Sequence, residues 1–248
     1  MEPGFDLLAE ARAAAVDADS ALRFAGRLAA AAGRSLAPDD GYPDSVLEKA
    51  QERLGVALPG LLVRLHETVG RRDDLVRVQD RLLAPHELSI DATGTVLQWR
   101  VENQGCAWWG IPLDSLGHAD PPVLVRAITG SDQEHTWYPY LDRLSLAIEE
   151  MLLSESLFAG HDGTWADNME LEEASLRVLE AHFERLPIPD CPMWTDPSAG
   201  VVWRWFAGPS VVLREDAGTW VWVLAQSEQA VDDVRTLLPG DWLMRPDG

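Results

Sequence analysis

The interval at which apolar residues recur changes along this chain, and that change limits the structures it can form. Up to about residue 70, apolar side chains recur at helical intervals. From about residue 82 the interval becomes two, and Leu97, Trp99 and Val101 alternate with polar or charged residues. Such alternation is typical of a strand with one buried face, so the sequence predicts helices followed by a block of strands.

Helical segments come first. Residues 5–32 are rich in alanine and end at Gly33, which predicts an N-terminal helical segment. A compact pair of helices follows, in which Ser45 and Glu48 stand in capping-box register and Gly55 ends the first helix. We therefore expect two short helices joined by a glycine-to-proline turn.

The strand block continues with a hairpin and closes with a helix. A second strand at Ala107–Ile111 is reached through residues 103–105, a connection of hairpin length. Further strands are predicted at Val123–Ile128 and His135–Tyr140. Apolar residues at helical spacing then predict a closing helix over about 143–158.

The last third of the chain has its own pattern. The glutamate-rich stretch Asp167–Leu186 predicts one amphipathic helix, and Ser227 is positioned to cap a final helix. A β-meander is expected between them. Its predicted strands are 201–206, 210–214 and 219–225. We interpret this helix–β-meander–helix segment as a unit appended to the main block.

Tryptophan is abundant, with eleven in 248 residues. Four of them keep a spacing of two within the predicted meander, so we expect them to share one face of its sheet. These four are Trp203, Trp205, Trp220 and Trp222. That face is predicted to be core, covered by the helix at 227–238.

The net charge is −21, from 41 acidic and 20 basic residues. A surface of this sign repels phosphate backbones, because nucleic-acid affinity comes largely from lysine and arginine. Direct binding of DNA or RNA is therefore disfavoured, whereas a basic protein would be attracted by the same field. The alternative is that the charge only keeps the protein soluble.

Several features predict a cytoplasmic protein. No stretch approaches the length of apolar sequence that a membrane helix needs. The N-terminus carries Glu2 and Asp6 where a secretory signal would be basic. The two cysteines, Cys106 and Cys191, are far apart, so we expect small core thiols and no disulfide framework.

Four short motifs occur in order along the middle of the chain. The first helix of the pair ends in Leu-Gly-Val-Ala-Leu-Pro at 54–59, and the next helix ends at Gly70. Glu-Asn-Gln-Gly-Cys-Ala-Trp-Trp-Gly-Ile follows at 102–111, and Asp-Pro-Pro-Val at 120–123. Trp137 stands before the closing helix. In this order and spacing the motifs resemble the SUKH superfamily, the bacterial relatives of the fungal Smi/Knr cell-wall regulators.

The resemblance covers residues 42–160, about half of the chain. It implies an α+β fold in which a mostly antiparallel, curved sheet packs against helices. The expected organisation is an N-terminal helical segment (1–41), a SUKH-like core domain (42–160) and a C-terminal extension (161–248). For a bacterial member, the resemblance implies an immunity protein that binds and neutralises a polymorphic toxin.

The candidate protein-binding residues lie in the second motif. They are Glu102, Asn103, Gln104, Trp108 and Trp109. Adjacent strand residues point to opposite faces, so one of the two tryptophans leaves the face that the other occupies. If the sheet is covered on one side only, that indole lies near solvent and could anchor a partner. The alternatives are that the C-terminal extension covers it, and that the turn is only a tight connection.

Signals for catalysis are weak. The chain has neither a Gly-x-Ser-x-Gly elbow nor a glycine-rich phosphate loop. The pairs His118/Asp120 and His161/Asp162 could supply metal ligands, but each is too small a set for a zinc site. We predict no catalytic residue, no cofactor and no metal.

Three hypotheses about function follow. The first is an immunity-type binder whose partner is a protein, expected to be a basic toxin domain. The second is a cytoplasmic scaffold or regulatory adaptor of the Smi/Knr type without a toxin partner. The third is an enzyme that uses a cleft between the core and the extension; carboxylates with strongly shifted pKa values in that cleft would favour it.

Overall fold

Helices form the N-terminal part of the chain. In a computed structural model, which describes residues 6–128, 136–160, 164–238 and 240–243, capping explains where they begin. Asp6 accepts the Ala9 N–H at the start of the first helix, and Asp17 caps the second. The helices are α1 (Leu7–Ala14), α2 (Ala18–Ala31), α3 (Asp44–Leu54), α4 (Gly60–Val69) and the short α5 (Asp73–Val76).

The predicted helical pair is confirmed as α3 and α4. Gly55 ends α3 with a φ of 72°, a left-handed conformation that glycine adopts without strain. The predicted capping box is wrong, because α3 begins at Asp44 and Ser45 lies inside the helix.

The first sheet is antiparallel and follows the helices. Its strands are β1 (Arg81–Leu82), β2 (Ser89–Ile90), β3 (Val96–Val101), β4 (Ala107–Pro112), β5 (Val123–Ala127) and β6 (Tyr138–Leu141). They lie in the order β1-β3-β4-β5-β6, and β2 also pairs with β3. The predicted β3–β4 hairpin is confirmed. The predicted start of the fourth strand, His135, lies outside the described residues.

A bulge in β3 changes which side chains face the interior. Leu97 pairs with Ile111. Arg100, three residues later, pairs with Trp109, only two residues before Ile111. Trp99 is thus the extra residue, and Leu97 and Arg100 fall on the same face. The prediction of a single buried face is wrong for β3, because all six of its residues are buried.

A central helix, α6 (Leu144–Phe158), confirms the predicted closing helix. Every residue from Leu144 to Leu157 is buried, as expected for a helix that packs on all sides. Asp120 caps it, since its carboxylate accepts the Ser145 N–H at 2.8 Å and the Ser145 hydroxyl at 2.6 Å. Within the described part of the chain, no helix combines the length and apolar character that crossing a membrane requires.

A second antiparallel sheet follows α6. Its strands are β7 (Trp165–Glu170), β8 (Glu184–Arg185), β9 (Cys191–Pro192), β10 (Val202–Gly208), β11 (Val211–Asp216) and β12 (Trp220–Ala225). Their order is β7-β12-β11-β10-β8, with β9 also beside β10. Two helices, α7 (Glu173–His182) and α8 (Glu228–Leu237), accompany the sheet. The meander and the final helix capped by Ser227 are as predicted. The chain therefore has the α+β class that we expected, with two antiparallel sheets.

The single helix predicted over Asp167–Leu186 is wrong. This stretch contains most of β7, then α7, then β8. β7 pairs along its whole length with β12, some fifty residues further along the chain. Local spacing cannot reveal such a partner, so the glutamate-rich pattern of α7 dominated the prediction.

The four tryptophans of the meander share one face, but that face is not covered by α8. Trp203 and Trp205 are buried in the main apolar core, whereas α8 contributes to a second apolar cluster on the opposite face, which contains Phe206 and Leu213. The main core is continuous through all three predicted segments of the chain. The boundaries at residues 41 and 160 stay predictions.

The loop at residues 40–42 closes tightly onto α4. Tyr42 donates its backbone N–H to the carbonyl of His66, and Asp40 accepts the N–H of Arg71, both at 2.9 Å. At Gly41 the backbone lies so close to Glu67 that an added Cβ would stand 1.6 Å from its carbonyl oxygen. Only glycine fits this approach.

We expect Gly41→Ala to lower the free energy of unfolding by about 2 kcal/mol or more, because the clash is with backbone that cannot rotate away. Gly60→Ala is the matched control, since a Cβ there meets no atom within 4 Å at the start of α4. The control should change stability by less than about 1 kcal/mol, in the stabilising direction. Urea unfolding of the two variants measures the difference, and equal stabilities would contradict this account of the loop.

Candidate functional site

The turn between β3 and β4 is organised by one of its predicted binding residues. The Glu102 carboxylate accepts the backbone N–H groups of Gln104 at 2.9 Å and Cys106 at 3.0 Å. Its side chain is buried, so Glu102 is wrong as a contact residue and instead holds the turn. Asn103 and Gln104 are exposed and remain candidates.

The two adjacent tryptophans of β4 lie on opposite faces, as expected. Trp109 is 0% exposed and packs edge-to-face on Tyr140, with ring centroids 6.0 Å apart. Trp109 is therefore wrong as a contact residue, because a partner cannot reach it. Trp108 is half-buried on the outer face of the first sheet, opposite Arg126 of β5.

Another aromatic side chain completes this outer face. Trp137 lies over Gly110, and its ring approaches to 3.0 Å the position that a Cβ of this glycine would take. The indole N–H donates to Asp91 at 3.1 Å, and the Arg126 guanidinium stacks 4.9 Å from the ring centroid. The outer face thus carries Trp108 and Trp137 on either side of a stacked arginine.

The inner face is occupied by a buried ion cluster that sequence reasoning missed. Arg100 contacts Glu150 of α6 at 2.7 Å and Asp80 at 3.1 Å, and Glu155 lies 3.7 Å away. Its guanidinium also stacks on Trp109, 4.4 Å from the ring centroid. The sequence signal for this cluster was the occurrence of three glutamates within a largely apolar helix.

Glu155 fixes the chain that leads into β1. Its carboxylate accepts three consecutive backbone N–H groups, from Val78 at 2.6 Å, Gln79 at 2.7 Å and Asp80 at 3.0 Å. Burial raises the pKa of Glu155 to about 7, although Arg100 and these hydrogen bonds oppose the rise. Burial also raises the pKa of Asp80.

Polar contacts continue from this cluster into the second sheet. Glu150 accepts the Ser154 hydroxyl at 2.5 Å, and that hydroxyl oxygen accepts from Arg214 of β11 at 3.1 Å. Arg214 then forms a two-pronged pair with Asp216, at 2.8 and 3.0 Å. A line of hydrogen bonds and ion pairs therefore joins the two sheets through α6.

The junction between the main block and the extension is packed. Tyr140 of β6 meets Trp203 of β10 edge-to-face, with ring centroids 6.4 Å apart. Burial raises the pKa of Cys191 there. The buried carboxylates with raised pKa values, Asp80, Glu149 and Glu155, lie in the closed interior of the protein and do not line a cleft at this junction.

Glu149 differs from its neighbours on α6. Its carboxyl group is fully buried, and neither oxygen has a hydrogen-bond partner among the residues that the structure describes. Burial raises its pKa to about 8, against a small opposing effect of Arg143. At neutral pH this side chain is therefore protonated in the folded protein.

The His118/Asp120 pair gains no further metal ligand among the described residues. Asp120 is committed to the N-terminus of α6, and His118 is exposed. Across the described residues, no group of three or more histidine, cysteine, aspartate or glutamate side chains is placed to hold a metal ion. His161 and Asp162 lie outside the described residues.

Comparisons with known proteins found no match among family models, curated proteins or solved structures. The resemblance to the SUKH superfamily stays a prediction that stands on the four motifs.

We expect Glu149→Gln to change how stability depends on pH. The pKa of this carboxyl is about 8 when folded, against a usual value of 4.5, so its contribution to stability is complete below pH 4.5 and is lost as the pH rises through 8. Glutamine cannot ionise. At pH 8 the free energy of unfolding of the variant should therefore exceed that of the parent by a few kcal/mol. Near pH 5 the difference should be much smaller, because the parent then loses little stability to ionisation of Glu149 in the unfolded state.

Urea unfolding at pH 5, 6.5 and 8 measures this, with the exposed Glu48→Gln as the control. Identical pH slopes for the parent and Glu149→Gln would contradict the assignment.

Removal of the central cation should be costly. Arg100→Met leaves the buried Glu150 without its ion-pair partner, and we expect a loss of about 3–5 kcal/mol in unfolding free energy. Arg81→Met breaks only an exposed pair with Glu87 and should cost less than about 1 kcal/mol. Denaturant unfolding at pH 7 compares them, and a similar small loss in both would show that Arg100 is dispensable.

Proposed function

We propose that this chain is a protein-binding module of the immunity type, which binds a cognate toxin and neutralises it. The observation that carries the proposal is the position of Trp108. This indole is half-buried on the outer face of the first sheet, beside a turn that exposes Asn103 and Gln104. A large aromatic side chain held in place and rimmed by amides is the form that interface hot spots take.

The charge of the chain supports a basic partner. A net charge of −21 produces a negative field that accelerates encounter with a positively charged protein and falls off with salt. A nuclease-like or other basic toxin domain fits this field. Docking of the outer face on such a domain would cover its active site.

The rigidity of the outer face adds to the argument. Trp108 sits on a strand paired on both sides, by β3 and by β5. A side chain held in this way loses little conformational entropy on binding, so more of its contact energy appears as affinity.

The test begins with the neighbouring genes, where we expect a gene for a large secreted protein with a variable C-terminal domain. That domain should arrest growth when produced in a bacterial host, and co-production of this chain should restore growth. Growth arrest that persists, with no complex at any ionic strength, would refute the proposal.

Within that system, Trp108→Ala should weaken binding of the toxin domain by about 30-fold, which corresponds to about 2 kcal/mol. Trp165→Ala is the matched control, because Trp165 is also partly exposed but lies on β7 of the second sheet. Calorimetric titration gives both affinities, and circular dichroism checks that each variant is folded. Equal affinities for the two variants would remove Trp108 from the interface.

A further inference from the structure

α6 covers the inner face of β12 at the end of the strand but not at its start. Leu224 is 5% exposed, Trp222 is half-buried and Trp220 is 36% exposed, so exposure rises steadily towards the start of the strand. Phe158, the last residue of α6, contacts Trp222 with ring centroids 5.0 Å apart. Trp220 lies one step further out on the same face and therefore presents part of its indole to solvent.

The neighbours of Trp220 across the sheet are both acidic. Asp216 of β11 and Glu170 of β7 pair with it directly, and such pairs share a face. Asp216 is already paired with Arg214 and accepts the Trp222 indole N–H at 2.9 Å. Glu170 is exposed and forms no ion pair with any described residue, so its charge is available to a partner.

A shallow groove continues from Glu170 around the edge of the second sheet. It has a volume of about 360 Å³ and is lined by Met169, Glu170, Leu171, Glu172, Gly240 and Asp241. Two of these side chains are apolar and buried, and the three carboxylates are exposed. The accessible charge of this groove is therefore negative, which suits a positively charged group.

We propose that the surface formed by Trp220 and Glu170, which we call the Trp220 rim, binds an arginine- or lysine-bearing segment of the partner protein. The inference rests on the proposed function for the existence of a protein partner, and it adds a second contact on the other sheet. A guanidinium or ammonium group over the indole gains cation–π attraction. The same cation pairs with Glu170, whereas an acidic or nucleic-acid partner would be repelled.

The charge of the rim selects this occupant over a purely apolar one. The Glu170 carboxylate, which forms no ion pair with any described residue, would lose hydration against an apolar surface without compensation. A basic segment replaces that hydration with ion pairs. We therefore expect the interaction to weaken as salt rises, because these pairs are at the surface.

The proposal is tested on the full chain with a labelled hexa-arginine peptide and, as the uncharged counterpart of equal length, hexa-citrulline. Fluorescence anisotropy should show binding of hexa-arginine at low salt and at least tenfold weaker binding of hexa-citrulline. Trp220→Ala should weaken hexa-arginine binding about fivefold, and Glu170→Gln about threefold.

Trp165→Ala is the matched control, because Trp165 is 38% exposed in the same sheet but pairs with Ala225 and has no carboxylate opposite it. The affinity of Trp165→Ala for hexa-arginine should stay within about twofold of that of the parent, because this substitution removes no proposed contact. Equal affinities for the parent and Trp220→Ala, or equal losses in Trp220→Ala and Trp165→Ala, would overturn the proposal in favour of diffuse attraction.

Indole ¹H–¹⁵N spectra supply a second measurement. Addition of hexa-arginine should shift the Trp220 signal, which is identified by its loss in Trp220→Ala, and leave the Trp165 signal in place. Movement of the Trp165 signal alone would contradict the proposal. These measurements use no toxin, and Trp108→Ala should not affect them. A result against peptide binding at the Trp220 rim can therefore be distinguished from a result against toxin neutralisation.

Discussion

The structure depends on acidic groups placed inside a largely apolar, buried helix, α6. Removal of the α6 glutamates from water is unfavourable, and their environments offset that cost in different ways. Arg100 and Ser154 stabilise Glu150, backbone N–H groups stabilise Glu155, and the Glu149 carboxyl stays protonated. Because Arg100 belongs to one sheet and Arg214 to the other, the same helix sets the position of both.

Features with a local cause could be predicted from the sequence. Gly55 ends a helix, Ser227 caps one, and the spacing of two in the meander produces strands where it was expected. Features set by distant partners could not be predicted. β7 is a strand because it lies against β12, and the bulge at Trp99 shows only in the register with β4.

The same distinction applies to the candidate site. Alternation along β4 predicted that Trp108 and Trp109 diverge, but the choice of the inner residue depends on where the helices and the extension pack. Glu102 is a candidate contact residue by sequence because turns are usually polar and exposed. Its carboxylate instead accepts backbone N–H groups of the turn, so it is not free to contact a partner. The side chains of Asn103 and Gln104 are exposed, and their role in binding stays a prediction.

The contact of Tyr140 with Trp203 has an evolutionary consequence. Tyr140 links Trp109 of β4 to Trp203 of β10, in the segment after residue 160. A shorter homologue without an extension would leave this aromatic surface bare in water. We expect such a homologue to carry a smaller or more polar side chain at the equivalent of position 140, so that gain of the extension and change at this position would have occurred together.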